Sequence, residues 1–289
     1  MLLGIKRTGL YLKMIKFSHS VFALPFAFTS GVLASGGIPT GRQILWITAA
    51  MVSARSAAMG LNRIADRKID ALNPRTKNRE IPSGAVKLAE ASVFTAMFSA
   101  LFVLSAYMLN PLCFKLSPVV LAVLFFYSYT KRFTWSSHLF LGIAISGAPL
   151  GAWIAIRGDI SLTIIPLVFA VVFWLAGFDI LYALQDVVFD KAHGLYSIPQ
   201  RFGVKRAITL SRVFHLLTFI LLAVTGVFFK MGFVYFIGIS VVAALLIYEH
   251  SLVKPNDLSK LDMAFFNING YISVTVFVFV LVENTILKR

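Results

Sequence analysis

Charged side chains are scarce in this chain: Asp, Glu, Lys and Arg make up 13% of its 289 residues, whereas hydrophobic residues make up 58%. An ordinary soluble domain carries roughly 25% charged residues, so the composition excludes that class. The mean hydropathy of +0.84 predicts instead an all-α protein that crosses the membrane several times. Apolar runs long enough for about 20 residues of helix begin near Phe17, Gln43, Leu88, Pro111, His138, Ser161, Ala207, Met231 and Leu261.

The chain also has very little cysteine and no stretch with the composition of a linker. The single Cys113 excludes an intrachain disulfide and a thiolate metal cluster. The five His residues are scattered, without the spacing of a metal site. No Pro-, Gly- or Ser-rich stretch divides the chain, and we therefore expect one helical domain over residues 1–289.

Acidic residues are few, with 12 Asp and Glu against 27 Lys and Arg, which gives a formal charge of +15. Most of the basic residues fall in alternate segments between the apolar runs, the pattern of cytoplasmic loops. An odd number of spans with the N-terminus in the cytoplasm reproduces this asymmetry. Because the charge borders hydrocarbon, the expected partners are the lipid bilayer and an anionic substrate, and nucleic acid is not among them.

Two Asp-bearing segments stand out against this background, and each follows a long apolar run. In the first, Arg55, Asn62, Asp66 and Asp70 are separated by seven, four and four positions, so they share one face of a helix. Carboxylate and amide oxygens suit Mg²⁺, which takes few protein ligands together with substrate phosphate. The alternative is a frayed helix end whose Asp residues pair in solvent with Arg63, Arg67 and Lys68.

The second segment repeats the spacing with Asp179, Asp186 and Asp190, and Tyr182 adds a polar group nearby. Asp179 falls within or near the membrane, where an ionisable side chain is costly and usually functional. Its alternative role is structural, as a partner of Arg55. For Asp186 and Asp190 metal binding is favoured.

Basic side chains near these segments suit a diphosphate. Lys131 and Arg132 close the fourth apolar run, and Tyr127 lies four positions before Lys131 on one helical face. Lys131 and Arg132 would neutralise the diphosphate, and Tyr127 would donate a hydrogen bond to it or stabilise a nearby cation through its ring. The alternative is a basic, aromatic anchor at the interface. Arg79 lies in a basic loop that would close over a phosphate, or that is simply a cytoplasmic loop.

The order of these motifs resembles the UbiA-type intramembrane aromatic prenyltransferases over essentially the whole chain. The resemblance is carried by Asn62xxxAsp66xxxAsp70, Asn78-Arg79-Glu80-Ile81-Pro82-Ser83-Gly84, Tyr127xxxLys131-Arg132, Asp186xxxAsp190, Gly194-Leu-Tyr-Ser197-Ile-Pro199 and Phe202-Gly203. Glu80 departs from a common Asn-Arg-Pro in that family. Tyr196 stands where many 4-hydroxybenzoate enzymes have Lys, and this version, with His19 in the first run, is similar to a branch associated with menaquinone synthesis by the futalosine route.

The resemblance implies about nine transmembrane helices around a central cavity, with the Asp-bearing loops as a cytoplasmic cap. It implies Mg²⁺-dependent transfer of a polyprenyl group from polyprenyl diphosphate to an aromatic acceptor, in ubiquinone or menaquinone biosynthesis. The acceptor would be 4-hydroxybenzoate or a related hydroxyaromatic such as dihydroxynaphthoate. The enzyme would lie in the inner membrane of a bacterium or archaeon, with its active site on the cytoplasmic side.

The expected site residues fall into three groups. The metal ligands are Asn62, Asp66, Asp70, Asp186 and Asp190, and all four carboxylates are catalytic together with Lys131. The diphosphate is bound by Arg67, Arg79, Tyr127 and Arg132, and the acceptor by Arg55 and His19. Tyr182 is a further substrate-binding residue. A secondary transporter with repeated halves is the alternative function, less favoured because transporters place such residues near the midplane of the membrane.

Overall fold

The computed structural model describes residues 9–15 and 20–287. Within those residues every regular element is a helix, apart from an isolated β-bridge between Lys254 and Asp257. In order, the helices are α1 (Ser20–Ser35), α2 (Gly41–Leu72), α3 (Leu88–Leu109), α4 (Pro111–Thr130), α5 (Ser137–Arg157), α6 (Ile165–Ala183), α7 (Val187–Ala192), α8 (Ile198–Phe202), α9 (Val204–Phe228), α10 (Phe233–Leu252) and α11 (Leu261–Leu287).

Eight of the described helices are long and apolar enough to cross a membrane, namely α2 to α6 and α9 to α11. They begin within a few residues of eight of the nine predicted starts, and the prediction of an all-α, multi-pass membrane protein is confirmed. The first predicted span coincides with α1, whose 16 residues reach about 24 Å, short of a hydrocarbon core of roughly 30 Å. Since residues 16–19 lie outside the described part, the count of nine stays a prediction, as do the central cavity and its caps.

The contacts group the chain into two compact units, Met1–Ser20 with Leu45–Tyr129 and Val21–Ile44 with Thr130–Arg289. The expectation of one domain over the whole chain stays a prediction. In the first unit, α2 and α3 approach closely at Gly60, where an added Cβ would overlap Thr95 Oγ1. Such close approach through small residues is typical of helices packed in a membrane.

In the second unit, α6 is the most buried span, with Trp174, Leu175 and Ile180 at 2% exposure or less. It packs on one side against α5, where a Cβ at Gly142 would overlap the Val172 carbonyl oxygen. On another side it packs against α9, where a Cβ at Gly177 would overlap the ring of His215. These contacts hold α6 between two neighbours and fix the direction of its C-terminal end.

Helix structure extends further than the apolar runs predict. The helix α2 continues to Leu72, so it includes both Asp66 and Asp70, and the non-helical stretch after it covers only residues 73–87. The segment between α6 and α9 contains two short helices, α7 and α8. Both Asp pairs therefore lie on or beside helical backbone that reaches beyond the apolar spans.

Candidate active site

The first Asp pair is buried. Asp66 and Asp70 are 2% and 4% exposed and lie on the buried face of α2 together with Arg63, as their spacing of three and four requires. The alternative of a frayed end in solvent is therefore wrong. Arg63, which the sequence offered only as a solvent partner, is 3% exposed, donates from Nε to the Met14 carbonyl oxygen over 3.1 Å, and interacts electrostatically with both carboxylates.

Asn62 meets the first of these carboxylates. Its Nδ2 donates to Asp66 Oδ2 over 3.3 Å, across one turn of α2. The two side chains thus lie together as the four-residue spacing predicts. In this arrangement the amide nitrogen faces Asp66, and the amide oxygen is the atom suited to a metal.

Arg79 meets the second carboxylate. Its Nη1 donates to Asp70 Oδ1 over 2.8 Å and to Oδ2 over 2.9 Å. The hydroxyl of Thr76 donates to the Asp70 carbonyl oxygen over 3.1 Å, which folds the chain after α2 back over the end of the helix. The predicted phosphate-binding Arg79 and the predicted metal ligand Asp70 are therefore brought together as a charge-assisted pair.

Two further basic residues on α2 differ in their surroundings. Arg67 Nη1 donates to the Ile64 carbonyl oxygen of its own helix over 2.8 Å. Arg55 lies two turns before Asn62, and its buried Nε has no hydrogen-bond partner among the described residues. A buried donor of this kind is costly unless it is satisfied, which makes Arg55 a candidate for binding an anionic group.

The second Asp pair is not on an uninterrupted helix. The helix α6 ends at Ala183, a 3₁₀ turn covers Leu184–Asp186, and α7 begins at Val187. The turn is tightened by the Gln185 side chain, whose Nε2 donates to the Tyr182 carbonyl oxygen over 2.8 Å. Asp186 and Asp190 are both partly exposed, in contrast to the first pair.

Asp190 is held by the chain that follows α7. Ser197 Oγ donates to Asp190 Oδ2 over 2.9 Å, and the Leu195 N–H donates to the Asp190 carbonyl oxygen over 3.0 Å. The Tyr196 N–H donates to the Lys131 carbonyl oxygen over 2.8 Å. Lys131 also interacts electrostatically with Asp190, and two predicted site residues are thereby brought together.

Asp179 has a partner that the sequence did not predict. His138 Nδ1 lies 2.7 Å from Asp179 Oδ2, and the Ile198 N–H donates to His138 Nε2 over 3.3 Å. The structural alternative for Asp179 named Arg55, but the described contact is with His138. The sequence signal available was a His at the start of an apolar run, which alone does not identify its partner.

Aromatic rings border Tyr182. Its ring stacks on Phe265 with centroids 4.1 Å apart, and Phe265 packs edge-on against Phe178 at 5.2 Å. Phe265 lies in the π-helical segment Ala264–Ile268 of α11, a local widening that often occurs at functional sites. Phe22 on α1 completes this group at 5.8 Å from both Phe178 and Phe265.

For three further predicted site residues, Tyr127, Arg132 and His19, the structure adds little. Tyr127 on α4 and Arg132 just after it are both partly buried. His19 lies outside the described residues.

The donor sets can be tested for their fit to a metal. Within residues 9–15 and 20–287, no group of three or more His, Cys, Asp or Glu side chains converges to form a metal site by itself. Each Asp pair supplies two carboxylates, and Mg²⁺ is usually bound by one or two carboxylates plus substrate phosphates and water. The residues present therefore fit Mg²⁺ that is bound jointly with a diphosphate, and do not form an all-protein cage.

Comparison with known proteins reveals extensive similarity. The profile of the UbiA prenyltransferase family matches residues 23–271. The 4-hydroxybenzoate octaprenyltransferase of Vibrio campbellii is 32% identical over 87% of this chain and 88% of its own length. That of Paraburkholderia phytofirmans is 31% identical over 94% and 95%.

Solved structures agree with this similarity. The apo structure of a UbiA homologue from Aeropyrum pernix K1 superposes with a TM-score of 0.83 and 33% identity, covering 92% of this chain and 98% of the other. A UbiA homologue from Archaeoglobus fulgidus bound to GPP and Mg²⁺ superposes with a TM-score of 0.69 and 22% identity over 94% and 99%, which shows a shared fold.

Proposed function

The chain belongs to the UbiA prenyltransferase family, and we propose that it transfers a polyprenyl group from polyprenyl diphosphate to a hydroxylated aromatic acid in quinone biosynthesis. The resemblance predicted from the sequence motifs is confirmed, and with it the classification as an enzyme. One structural observation carries the proposal beyond the family. Asp66 and Asp70 are buried at the end of a membrane-spanning helix with Asn62 and Arg79 beside them, an arrangement suited to a metal-bound diphosphate.

We assign the metal and diphosphate to both Asp pairs. Asp66 and Asp70 with Asn62, and Asp186 with Asp190, would hold Mg²⁺, which supplies a Lewis acid that draws charge from the leaving diphosphate. A relative of the same fold, the Archaeoglobus homologue, binds GPP and Mg²⁺, and this supports the assignment. Other contributions to the reaction come from side chains of this protein.

Basic side chains lower the barrier to breaking the allylic C–O bond. Lys131 lies in the electrostatic field of Asp190, where it meets the negative charge that grows on the diphosphate as the bond breaks. Arg67, Arg79 and Arg132 share that charge, and Tyr127 donates a hydrogen bond. Because these groups are already placed before reaction, they stabilise the transition state more than the ground state.

Aromatic rings protect the allylic cation. Tyr182, Phe265 and Phe178 present ring faces and edges that stabilise a cation and exclude water. The aromatic acceptor then attacks the cation through a ring carbon, and loss of the ring proton restores its aromaticity. The ring pair Tyr182–Phe265 thus lies on the route of the prenyl group in this proposal.

The acceptor is a carboxylated hydroxyaromatic, and 4-hydroxybenzoate is the first candidate because the Vibrio and Paraburkholderia relatives are 4-hydroxybenzoate octaprenyltransferases. Arg55, whose Nε has no hydrogen-bond partner in the described part of the chain, would bind its carboxylate, and His19 would bind its hydroxyl or carboxylate. Dihydroxynaphthoate is the second candidate. It is favoured by Tyr196, which stands in place of a basic residue and whose side chain is exposed.

The site is proposed to face the cytoplasm across the inner membrane. Lys131, Arg132 and the basic residues after α2 lie in segments that carry most of the positive charge, and such segments stay on the cytoplasmic side. The diphosphate group, which is too polar to cross hydrocarbon, would then reach the Asp pairs from the cytoplasmic side.

Purified protein with geranyl diphosphate as the probe tests the proposal. We expect Mg²⁺-dependent formation of a prenylated product with 4-hydroxybenzoate or with 1,4-dihydroxy-6-naphthoate, and none in EDTA. Uptake of a solute into vesicles without any prenylated product would instead support the transporter alternative.

A further inference from the structure

Asp190 is supported by two very short helices. It lies in α7, which has six residues, and its carboxylate is held by Ser197, the N-cap of the five-residue α8. Ser197 Oγ also accepts the Gln200 N–H over 3.3 Å. Helices this short are not stable alone in water. The position of Asp190 therefore depends on what ties α8 to the long helices.

His138 supplies such a tie. It lies at the start of α5, is 3% exposed, and binds the backbone of Ile198, the residue that follows Ser197. Because the Ile198 N–H donates to Nε2, that nitrogen carries no proton and Nδ1–H is the donor to Asp179. One ring thus joins three elements, since α8, α5 and α6 meet at His138.

The far end of this tie is rigid. Asp179 lies in α6, the most buried span, and α5 and α6 are in backbone contact at Gly142. The Tyr196 N–H bond to the Lys131 carbonyl oxygen is a second anchor of the same loop and does not involve His138. Removing the ring is therefore expected to loosen the loop without releasing it.

We propose that His138 is a positioning residue for the second Asp pair: by fixing Ile198 to Asp179 it holds Ser197 against Asp190, and so sets the carboxylate for the metal-bound diphosphate. This inference rests on the proposed function. The inference also assigns Asp179 a structural role: it anchors the His138 ring and is not a metal ligand.

Three substitutions separate the two contacts of the ring. His138→Asn places an amide nitrogen near the position of Nδ1 and keeps the donor to Asp179, but loses the acceptor for Ile198. His138→Gln places an amide oxygen near the position of Nε2 and keeps that acceptor. His138→Leu removes both. Trp153→Phe is a matched control, because it removes another hydrogen bond to a carboxylate, from Trp153 Nε1 to Asp159 Oδ1, at the other end of the same helix.

The measurement is Mn²⁺ binding, followed by electron paramagnetic resonance, to purified protein with a non-reacting geranyl thiolodiphosphate, beside kcat and KM. We expect His138→Leu to weaken Mn²⁺ binding about tenfold, the lower part of the range for groups that orient metal ligands. His138→Gln should restore more binding than His138→Asn, and KM for the aromatic acceptor should stay constant. Trp153→Phe should bind Mn²⁺ like the wild type.

Coupling to Ser197 completes the test. In a Ser197→Ala background, His138→Leu should add little further loss, because both changes act through Asp190. Folded His138→Leu protein with wild-type Mn²⁺ binding would overturn the inference, as would equal loss in the Asn and Gln variants or additive loss with Ser197→Ala. If the wild type forms no prenylated product, the proposed function fails instead, which is a separate result.

Discussion

The two Asp pairs have the same spacing and different surroundings. Asp66 and Asp70 lie on one uninterrupted helix of 32 residues and are buried beside Arg63 and Arg79. Asp186 ends a 3₁₀ turn and Asp190 lies in the six-residue α7; both are partly exposed, and Asp190 is supported by the chain that follows α7. Equal spacing therefore predicts which oxygens can share a ligand, whereas rigidity is decided by the backbone that carries them.

Because of this difference, we expect the two Asp pairs to contribute to the site in different ways. The first pair is preorganised, since its partners are on the same helix or on the turn that closes over it. The second pair is adjustable, because the chain from Asp186 to Phe202 includes two short helices joined by a turn with Gly194 at a positive φ of 65°. We expect substitutions at the first pair to alter fixed electrostatics, and substitutions near the second to alter positioning.

Loss of a carboxylate from either pair should have the largest effect. Asp66→Ala and Asp190→Ala should each lower kcat by at least about a hundredfold, as loss of a central electrostatic group does, while the protein stays folded in the membrane. Product formation at saturating Mg²⁺ is the measurement, and Asp262→Asn, an exposed carboxylate, is the control. Activity above a tenth of wild type in either variant would falsify the assignment of both pairs.

Charge at Lys131 should matter next. Lys131→Gln is expected to lower kcat by about a hundredfold or somewhat less and to raise KM for prenyl diphosphate by a smaller factor. The reason is that the charge on the leaving group is greatest in the transition state. Steady-state kinetics with varied prenyl diphosphate separates the two constants. A change confined to KM would make Lys131 a residue for binding or topology.

The Arg79–Asp70 pair tests the rigidity of the first site. Arg79→Leu leaves a buried carboxylate without its partner. Such a loss typically costs roughly 3 kcal/mol of folding free energy, and a smaller loss is expected here because the Arg79 side chain is 21% exposed. The midpoint of thermal unfolding should fall, and Arg79→Leu,Asp70→Asn should recover part of the loss. Equal stability of wild type and Arg79→Leu would show that the pair contributes only to catalysis.

The acceptor side should show the smallest effect. His19→Leu is expected to weaken use of the aromatic acceptor severalfold, because burying an unpaired carboxylate or hydroxyl costs free energy. Pyrophosphate release in the absence of acceptor should change little. Unchanged KM for the acceptor would make His19 a packed polar residue and direct attention to Arg55 as the acceptor contact.

The sequence predicted the spans and the first Asp pair well for physical reasons. Membrane helices must satisfy their own backbone, so long apolar runs determine helices directly. Asn62 and Asp66 lie together as their spacing requires, because α2 is continuous. The same spacing placed Asp70 on this helix, and α2 does continue past it to Leu72, where tertiary contacts such as Arg63 with Met14 hold its polar last turns.

The second site could be predicted only in part. A 3₁₀ turn at Leu184–Asp186 has no clear sequence signal, and the pairing of His138 with Asp179 joins residues 41 positions apart. Ser197 belongs to one of the sequence motifs, but its hydrogen bond to Asp190 depends on the return of the chain through Gly194. Long-range contacts of this kind follow from packing, and residue spacing does not reveal them.

The main proposal is that each Asp pair is required to hold the metal-bound diphosphate. It is tested most directly by equilibrium binding of geranyl thiolodiphosphate with Mg²⁺ to wild type, Asp66→Ala, Asp190→Ala and the double variant. If the pairs share one ligand, each single variant should lose most of the binding, and the double variant should be little worse than either. Wild-type binding in either single variant, or losses of binding free energy that simply add in the double variant, would show that the two pairs do not share a ligand.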